Sequence, residues 1–387
     1  MRHATPAQRS RSPLLRWGAT TAAVLIALSI ATPAQAGKRH SPDTPAPAPT
    51  PVVVAEGLDN PRQLSFARDG DLLVAEAGTG GAGPCLPGPE GTVCFGTTGA
   101  ITRISDSGQR RVVTGLPSIA GAGGAQAIGP SDVLADRKGL TISIGLGANP
   151  EVRIANPALA MMGTIVKVRH GEPVVVADVA AFEATSNPVN DPDSNPVSLL
   201  RKRGGYIVAD AGGNTIVRVG RHGRFSTIAQ FADVSATLPP FTGAPVQAVP
   251  TSVAVGPDGA YYVSQLTGFP FEKGLAKIWR IGHDGSVSVY AEGLTNVTDL
   301  AFADDGTLYA VQLSTEGLLT GPVGSLVRIR KGAAPEVVVG GLFAPYGLAL
   351  RDNWAYLTTG SVAPGGQVVK VRLPWSGRGG DWHGDHH

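Results

Sequence analysis

The chain has 387 residues and a formal net charge of +2, from 32 Lys and Arg against 30 Asp and Glu. Only 16% of its residues are charged, well under the roughly 25% of ordinary soluble domains, while Gly (52) and Pro (31) are plentiful. A near-neutral chain lacks the electrostatic footprint of a nucleic-acid or anionic-membrane binder, and this composition suits a turn-dense all-β protein with both sheet faces covered.

Residues 1–36 hold four arginines and no acid, then an apolar run from Trp17 to Ile30, then Ala34-Gln35-Ala36. That order reads as a Sec-type secretory signal with cleavage expected after Ala36, which makes the protein secreted or extracytoplasmic. The apolar run is short for a bilayer and polar sequence follows it, so no membrane anchor is expected after cleavage. Loss of the four arginines takes the whole-chain +2 to −2, and no nucleic-acid partner is expected. Residues 37–51, GKRHSPDTPAPAPTP, are a Pro/Ala-rich linker.

From residue 52 to 373 the chain is a succession of short β-type runs. A Pro-x-x-apolar opening recurs at Pro61, Pro130, Pro196, Pro250 and Pro345, with Asn296-Val297-Thr298-Asp299-Leu300 standing in for a sixth. A first tight turn follows each opening, as in ARDGD (67–71), GPDGA (256–260) and ADDGT (303–307). A second follows later, as in SDSGQ (105–109), RHGR (221–224) and HDGS (283–286). Asp-Gly between β-branched runs is a hairpin signal, because Gly accepts the positive φ that such turns require. Six four-stranded antiparallel repeats predict a six-bladed β-propeller. The sixth repeat stops after its third strand, QVVKVRL (367–373), and VVVAEGL (52–58) matches the outer strands VVVGGL (337–342) and RVVTGL (111–116). The N-terminal strand is therefore expected to close the last blade and remove the open edge. The tail, 374–387, is Gly- and His-rich and expected to be flexible.

Cys85 and Cys94 are the only cysteines, both in the long loop of blade 1, and an exported protein predicts a disulfide between them. In an up-and-down meander the short turns share one face of the disc. The insertions 78–99, 147–163, 267–275 and 313–324 fall on the other, joined by the connections 117–129, 180–195 and 232–249. Long loops on a rigid scaffold are where binding groups gather. The openings place Arg62, Gln63, Asp132, Ser198, Ser252, Asp299 and Tyr346 at the central channel. Second-strand ends add Glu76, Asp210, Gln265 and Gln312. Of these, Arg62, Gln63, Glu76, Asp132, Asp299 and Tyr346 are the candidate ligand-binding set at the channel mouth. Channel carboxylates could hold a hard cation such as Ca2+; the competing reading is that Asp and Ser at strand starts cap backbone groups. Without a cation, removal of one carboxylate is expected to be neutral or mildly stabilising. His170, His222 and His283 all lie in third-to-fourth turns, so the loop-bearing face has no imidazole base.

Several segments carry a resemblance: EAGTGGAGPCLPGPEGTVCFGTTGAITRI (76–104), DSNPVSL (193–199), VADAGGNTI (208–216) and VPTSVAVGPDGAYYVSQLTGFPF (249–271). Over residues 52–373 the chain resembles the ScyD/ScyE family of exported bacterial propellers, and VADAGGNTI is similar to the NHL repeat. The resemblance implies a secreted or periplasmic six-bladed propeller; it brings no agreed activity or catalytic residues. The opening GLDNPRQLSFARDGDLLVAEAG (57–78) is similar to the first blade of quinoprotein sugar dehydrogenases, with Ala77 where that family has Arg and no match for its catalytic His. The resulting expectation is a propeller that binds a small molecule or protein partner through its loop-bearing face, without demonstrated catalysis. A metal-dependent, lactonase-like hydrolase using the channel carboxylates and a structural envelope protein are the alternatives.

Overall fold

A computed structural model describes residues 49–374, apart from 89, 90, 138, 170, 188–191 and the side chain of His222. The expected signal sequence, most of the linker and nearly all of the tail lie outside the described residues. No described helix is long and apolar enough to cross a membrane.

The described chain is a six-bladed β-propeller. Blades 2 to 5 are consecutive four-stranded antiparallel meanders; blade 3, for example, runs Pro196–Lys202, Gly205–Asp210, Thr215–Val219 and Phe225–Gln230. Blade 1 carries an extra hairpin, Cys85–Gly88 against the first part of Gly91–Ser105. Cys85 and Cys94 face each other across it and form a disulfide. The last blade takes its outer strand from the start of the chain: Val52–Asp59 pairs antiparallel with Pro364–Arg372, Val52 opposite Lys370 and Asp59 opposite Pro364. The ring closes as the outer-strand matches require.

Apolar residues recur on both faces of each second strand because each blade is packed between two others. In Leu72–Glu76, Leu72 and Val74 join the apolar layer shared with blade 6, while Leu73 and Ala75 join the layer shared with blade 2. In Leu308–Gln312, Leu308 and Ala310 face blade 4, and Tyr309 and Val311 face blade 6. The period-two alternation of a strand thus fills two interfaces at once. One apolar cluster sits at each of the six blade interfaces, which is why so few charges can be accommodated.

Every blade begins with the same backbone contact. The residue just ahead of the innermost strand accepts an N–H from just beyond the second strand. The six bonds are Ala77 to Asn60, Gly145 to Gly129, Ala211 to Asn195, Leu266 to Val249, Leu313 to Asn296 and Ser361 to Ala344, at 2.9–3.1 Å. Asn60, Val249, Asn296 and Ala344 adopt positive φ there, between 43° and 53°. Pro is tolerated at the next position because the first residue of an innermost strand needs no donor toward the channel. The connections carry structure of their own: a helix at Val179–Ser186, N-capped by Asp178, and a small ladder of Val234–Ser235 with Pro245–Val246.

Two outcomes follow. A chain starting at Asn60 loses the Leu58 and Ala55 contacts and exposes the edge at Pro364–Arg372. It should lose at least the ~2–5 kcal/mol of a large-to-small core change, and aggregate; a chain starting at Ala48 should melt like the full-length protein, and equal melting of the two would refute ring closure by this strand. The disulfide ties an added hairpin strand to Cys94, at the far end of the blade 1 ladder opposite Ala120, so Cys85→Ser/Cys94→Ser should shift the calorimetric melting temperature by only a few degrees.

Candidate functional site

The channel mouth is built from the two residues after each blade opening. Arg62 and Tyr346, on the adjacent blades 1 and 6, form one unit: the Arg62 guanidinium lies 4.9 Å from the Tyr346 ring centroid. Its Nη1 donates to the Ser361 carbonyl (2.8 Å) and its Nη2 to the Ala127 carbonyl (2.5 Å). Both carbonyls belong to loop-bearing-face segments. Burial lowers the Arg62 pKa and raises that of Tyr346. Gln63 reaches across the ring from blade 1, its Nε2 3.3 Å from the Thr251 carbonyl and 3.4 Å from that of Thr298, on blades 4 and 5. The channel is thereby bridged by a side chain.

Asp132 and Asp299 occupy equivalent positions in opposed blades 2 and 5, and each is bound in the same way. Asp132 accepts the N–H of Val133 (2.7 Å) and, from the next blade, that of Leu199 (2.6 Å). Asp299 accepts Leu300 N–H and Leu348 N–H, both at 2.7 Å, and the Ser252 hydroxyl. Each carboxylate staples its blade to the following one, as the capping reading requires. Burial outweighs these donors and lifts Asp132 to about 8, helped by the facing Asp299 charge, and Asp299 to about 7. Each of the four oxygens accepts one backbone N–H, so both carboxylates are engaged in the scaffold without any cation. Among the described residues no three His, Cys, Asp or Glu side chains cluster as metal ligands do.

Glu76 is not brought to the mouth. It is buried and accepts Arg111 through both oxygens (3.0 and 2.6 Å), Thr102 Oγ1 (2.5 Å) and Asp59 N–H (2.7 Å). It therefore ties the closing strand to blade 1. The other second-strand ends serve similarly: Asp210 accepts Asn195 N–H and the Ser194 hydroxyl, Gln312 accepts Thr295 N–H, and Gln265 accepts Trp279 Nε1. His283 lies in a short turn, its Nε2 3.3 Å from the Asp258 carbonyl.

A feature that sequence reasoning did not single out is a cavity of about 600 Å3 on the loop-bearing face, between blades 3 and 4. Asn187, Gly212–Asn214, Gln230, Phe231, Asp233 and Gln247 line it. Asn214 is committed to the scaffold, its Oδ1 accepting Val249 N–H. The floor depends on Gly213: a Cβ there would sit 2.8 Å from the Glu183 carboxyl carbon. Glu183 accepts the Asn187 side-chain amide, and burial raises its pKa. Burial likewise holds nearby Asp210 up at about 7. The segment VADAGGN carried a trace of this arrangement, since two successive glycines after a strand end mark a close approach.

No family model matches the chain, and no curated protein is similar to it by sequence. Among solved structures the chain is similar to virginiamycin B lyase from Staphylococcus aureus, at 11% identity over 84% of this chain and 100% of that one (TM-score 0.44). It is similar to α-L-arabinanase from Penicillium chrysogenum, solved with arabinobiose, at 12% identity over 84% and 99% (TM-score 0.49). A gluconolactonase from Xanthomonas campestris is 15% identical over 85% and 90% (TM-score 0.41).

Asp132→Ala would leave the Val133 and Leu199 N–H groups without acceptors. At about 1–3 kcal/mol per stranded donor, we expect the two donors to cost roughly 2–6 kcal/mol in urea titrations. That corrects the expectation of a neutral or stabilising change. The pH dependence has a definite sign. An unfolded Asp releases its proton near 3.9, whereas these two hold theirs to about 8 and about 7. Stability should therefore fall as pH rises from 5 to 8, and Asp132→Ala should flatten that slope. A urea midpoint that climbs over this range would overturn the assignment.

Proposed function

We propose that this is an exported binding propeller of the ScyD/ScyE type that takes a small, uncharged, polyhydroxylated ligand on its loop-bearing face. The observation that carries the reading is the cavity between blades 3 and 4. It has the size of a small-molecule site and is lined by amides (Asn187, Gln230, Gln247), one carboxylate (Asp233) and the Phe231 ring. Amides donate and accept at once, which suits hydroxyl groups that do the same. The disulfide is consistent with an extracellular protein. At the channel mouth, the partly exposed Arg62 and Tyr346 form a secondary polar surface on the same face, for which a ligand's polar end is the natural complement. A metal-dependent hydrolase is less well supported, because Asp132 and Asp299 each serve the scaffold by holding two backbone N–H groups, one of them from the following blade.

The test is a thermal-shift screen of mono- and disaccharides and polyols on the purified protein. A ligand present at one hundred times its Kd should add about 2.7 kcal/mol of stability. Gln230→Ala/Gln247→Ala should abolish that gain while the unliganded melting temperature stays within a few degrees. If no polyol stabilises the protein, or if the double variant responds like the wild type, the proposal fails.

A further inference from the structure

The two turns of blade 3 on the short-turn face are both basic. Arg201, Lys202 and Arg203 end the first strand and begin its turn; Arg218, Arg221 and Arg224 lie on the third strand and its turn. The meander brings these stretches together at one end of the blade. Arg221 Nε lies 3.5 Å from where a Cβ on Gly204 would stand. The blade's one acid, Asp210, is at the opposite end of its strand. Arg201 is paired with Asp136 at 2.8 Å. Among the described residues, Lys202, Arg203, Arg218, Arg221 and Arg224 form no ion pair. The acid bordering the patch on blade 4, Asp258, is held by Arg280 at 2.7 Å.

Three of these cations, Lys202, Arg203 and Arg218, line a concave surface, with Arg221 and Arg224 on the adjoining turn. Two cavities of about 220 Å3 each share Lys202, Arg218 and Tyr261, one running along blade 3 past Arg203 and Tyr206, the other under blade 4 past His283. Lys202 Nζ stands 5.1 Å from the Tyr261 ring centroid, which seats the cation between the cavities. Unneutralised like charges repel one another, so holding five together favours a counter-anion with several charges.

We infer that this groove binds an anionic polysaccharide, one bearing uronate or sulfate groups, with successive charged sugars in the two cavities. Three features select that class. The groove is a pair of sugar-sized hollows flanked by tyrosines rather than a flat cationic sheet. The disulfide is consistent with an oxidising, extracellular setting, where such polymers are the abundant polyanions. The face is opposite to the amide-lined cavity, so this inference does not depend on the function proposed above.

The experiment measures binding of the full chain to immobilised polygalacturonate and to dextran sulfate, with uncharged dextran, duplex DNA and phosphatidylglycerol vesicles as comparison arms. At least one anionic polysaccharide should bind, uncharged dextran should not, and the affinity should fall steeply with salt. Lys202→Ala/Arg203→Ala/Arg218→Ala should weaken binding at least tenfold. Arg68→Ala/Arg110→Ala/Lys331→Ala removes the same charge from blades 1 and 5 and should change it less than threefold. Melting temperatures of both triple variants check that each is folded; should the first fail to fold, the single change Arg203→Ala, at an exposed turn position, should still weaken binding at least twofold. Equal losses in the two triple variants, absence of polysaccharide binding, or tighter binding to DNA or vesicles would each overturn the inference.

Discussion

The hydrogen bond that starts each blade is the contact on which the rest of the ring depends. The chain arrives from an outer strand at the rim, crosses the loop-bearing face and must turn sharply into the strand that lines the channel. A carbonyl held by an N–H from beyond the second strand fixes where that turn ends, in all six blades. Once the carbonyl is fixed, the next two side chains have no choice of position: they face the channel or the neighbouring blade. In four of the blades the residue carrying that carbonyl adopts a positive φ, which is costly for ordinary residues. At Val249 a β-branched side chain sits at a φ of 53°, and Asn214 from the preceding blade accepts its N–H. A strained residue supported by a neighbouring blade makes the turn a property of the ring rather than of the local sequence.

The same constraint explains the use of polar residues in the channel. Ser65, Ser143, Thr251, Thr298 and Thr358 each donate to a backbone carbonyl of an adjoining blade. Asp132 and Asp299 complement them by accepting N–H groups across the next interface. Apolar layers between blades supply cohesion without direction; these bonds supply the registration that apolar contact lacks. Two ionisable groups placed on opposite sides of the ring serve a structural end, although composition alone makes them resemble a metal site.

The fold was legible because its signals are local. Asp-Gly turns, period-two alternation and the likeness of 52–58 to other outer strands depend on backbone chemistry that does not change with context. The pairing of Cys85 with Cys94 was legible for the same reason. The site was less so, because burial and orientation are set by neighbours distant in sequence. Glu76 stands at a strand end that could have faced the mouth, but Arg111, thirty-five residues on, draws it toward the closing strand. The cavity beside Gly213 arises where a turn of blade 3 meets the connection to blade 4, and no single stretch encodes it. The helix at Val179–Ser186 was read only as a connection, having too little amphipathic pattern to announce itself. The basic end of blade 3 was visible as RKR and RHGR, yet averaging charge over the whole chain concealed it.

The closing strand gives the molecule a clasp, with consequences for its assembly and its mechanics. Val52 lies opposite Lys370, so the first strand of the propeller waits for the last before it has a partner. Blades 2 to 5 can complete their own ladders as they emerge, whereas the seam cannot form until almost the whole chain is present. If the chain crosses a membrane in extended form, its N-terminal strand arrives with an unpaired edge and must be kept from other partners until residue 372 follows. The same geometry makes the two ends of the propeller neighbours in one sheet. Tension applied between them falls first on a single strand pair, so under load the ring opens at its seam before any blade unravels.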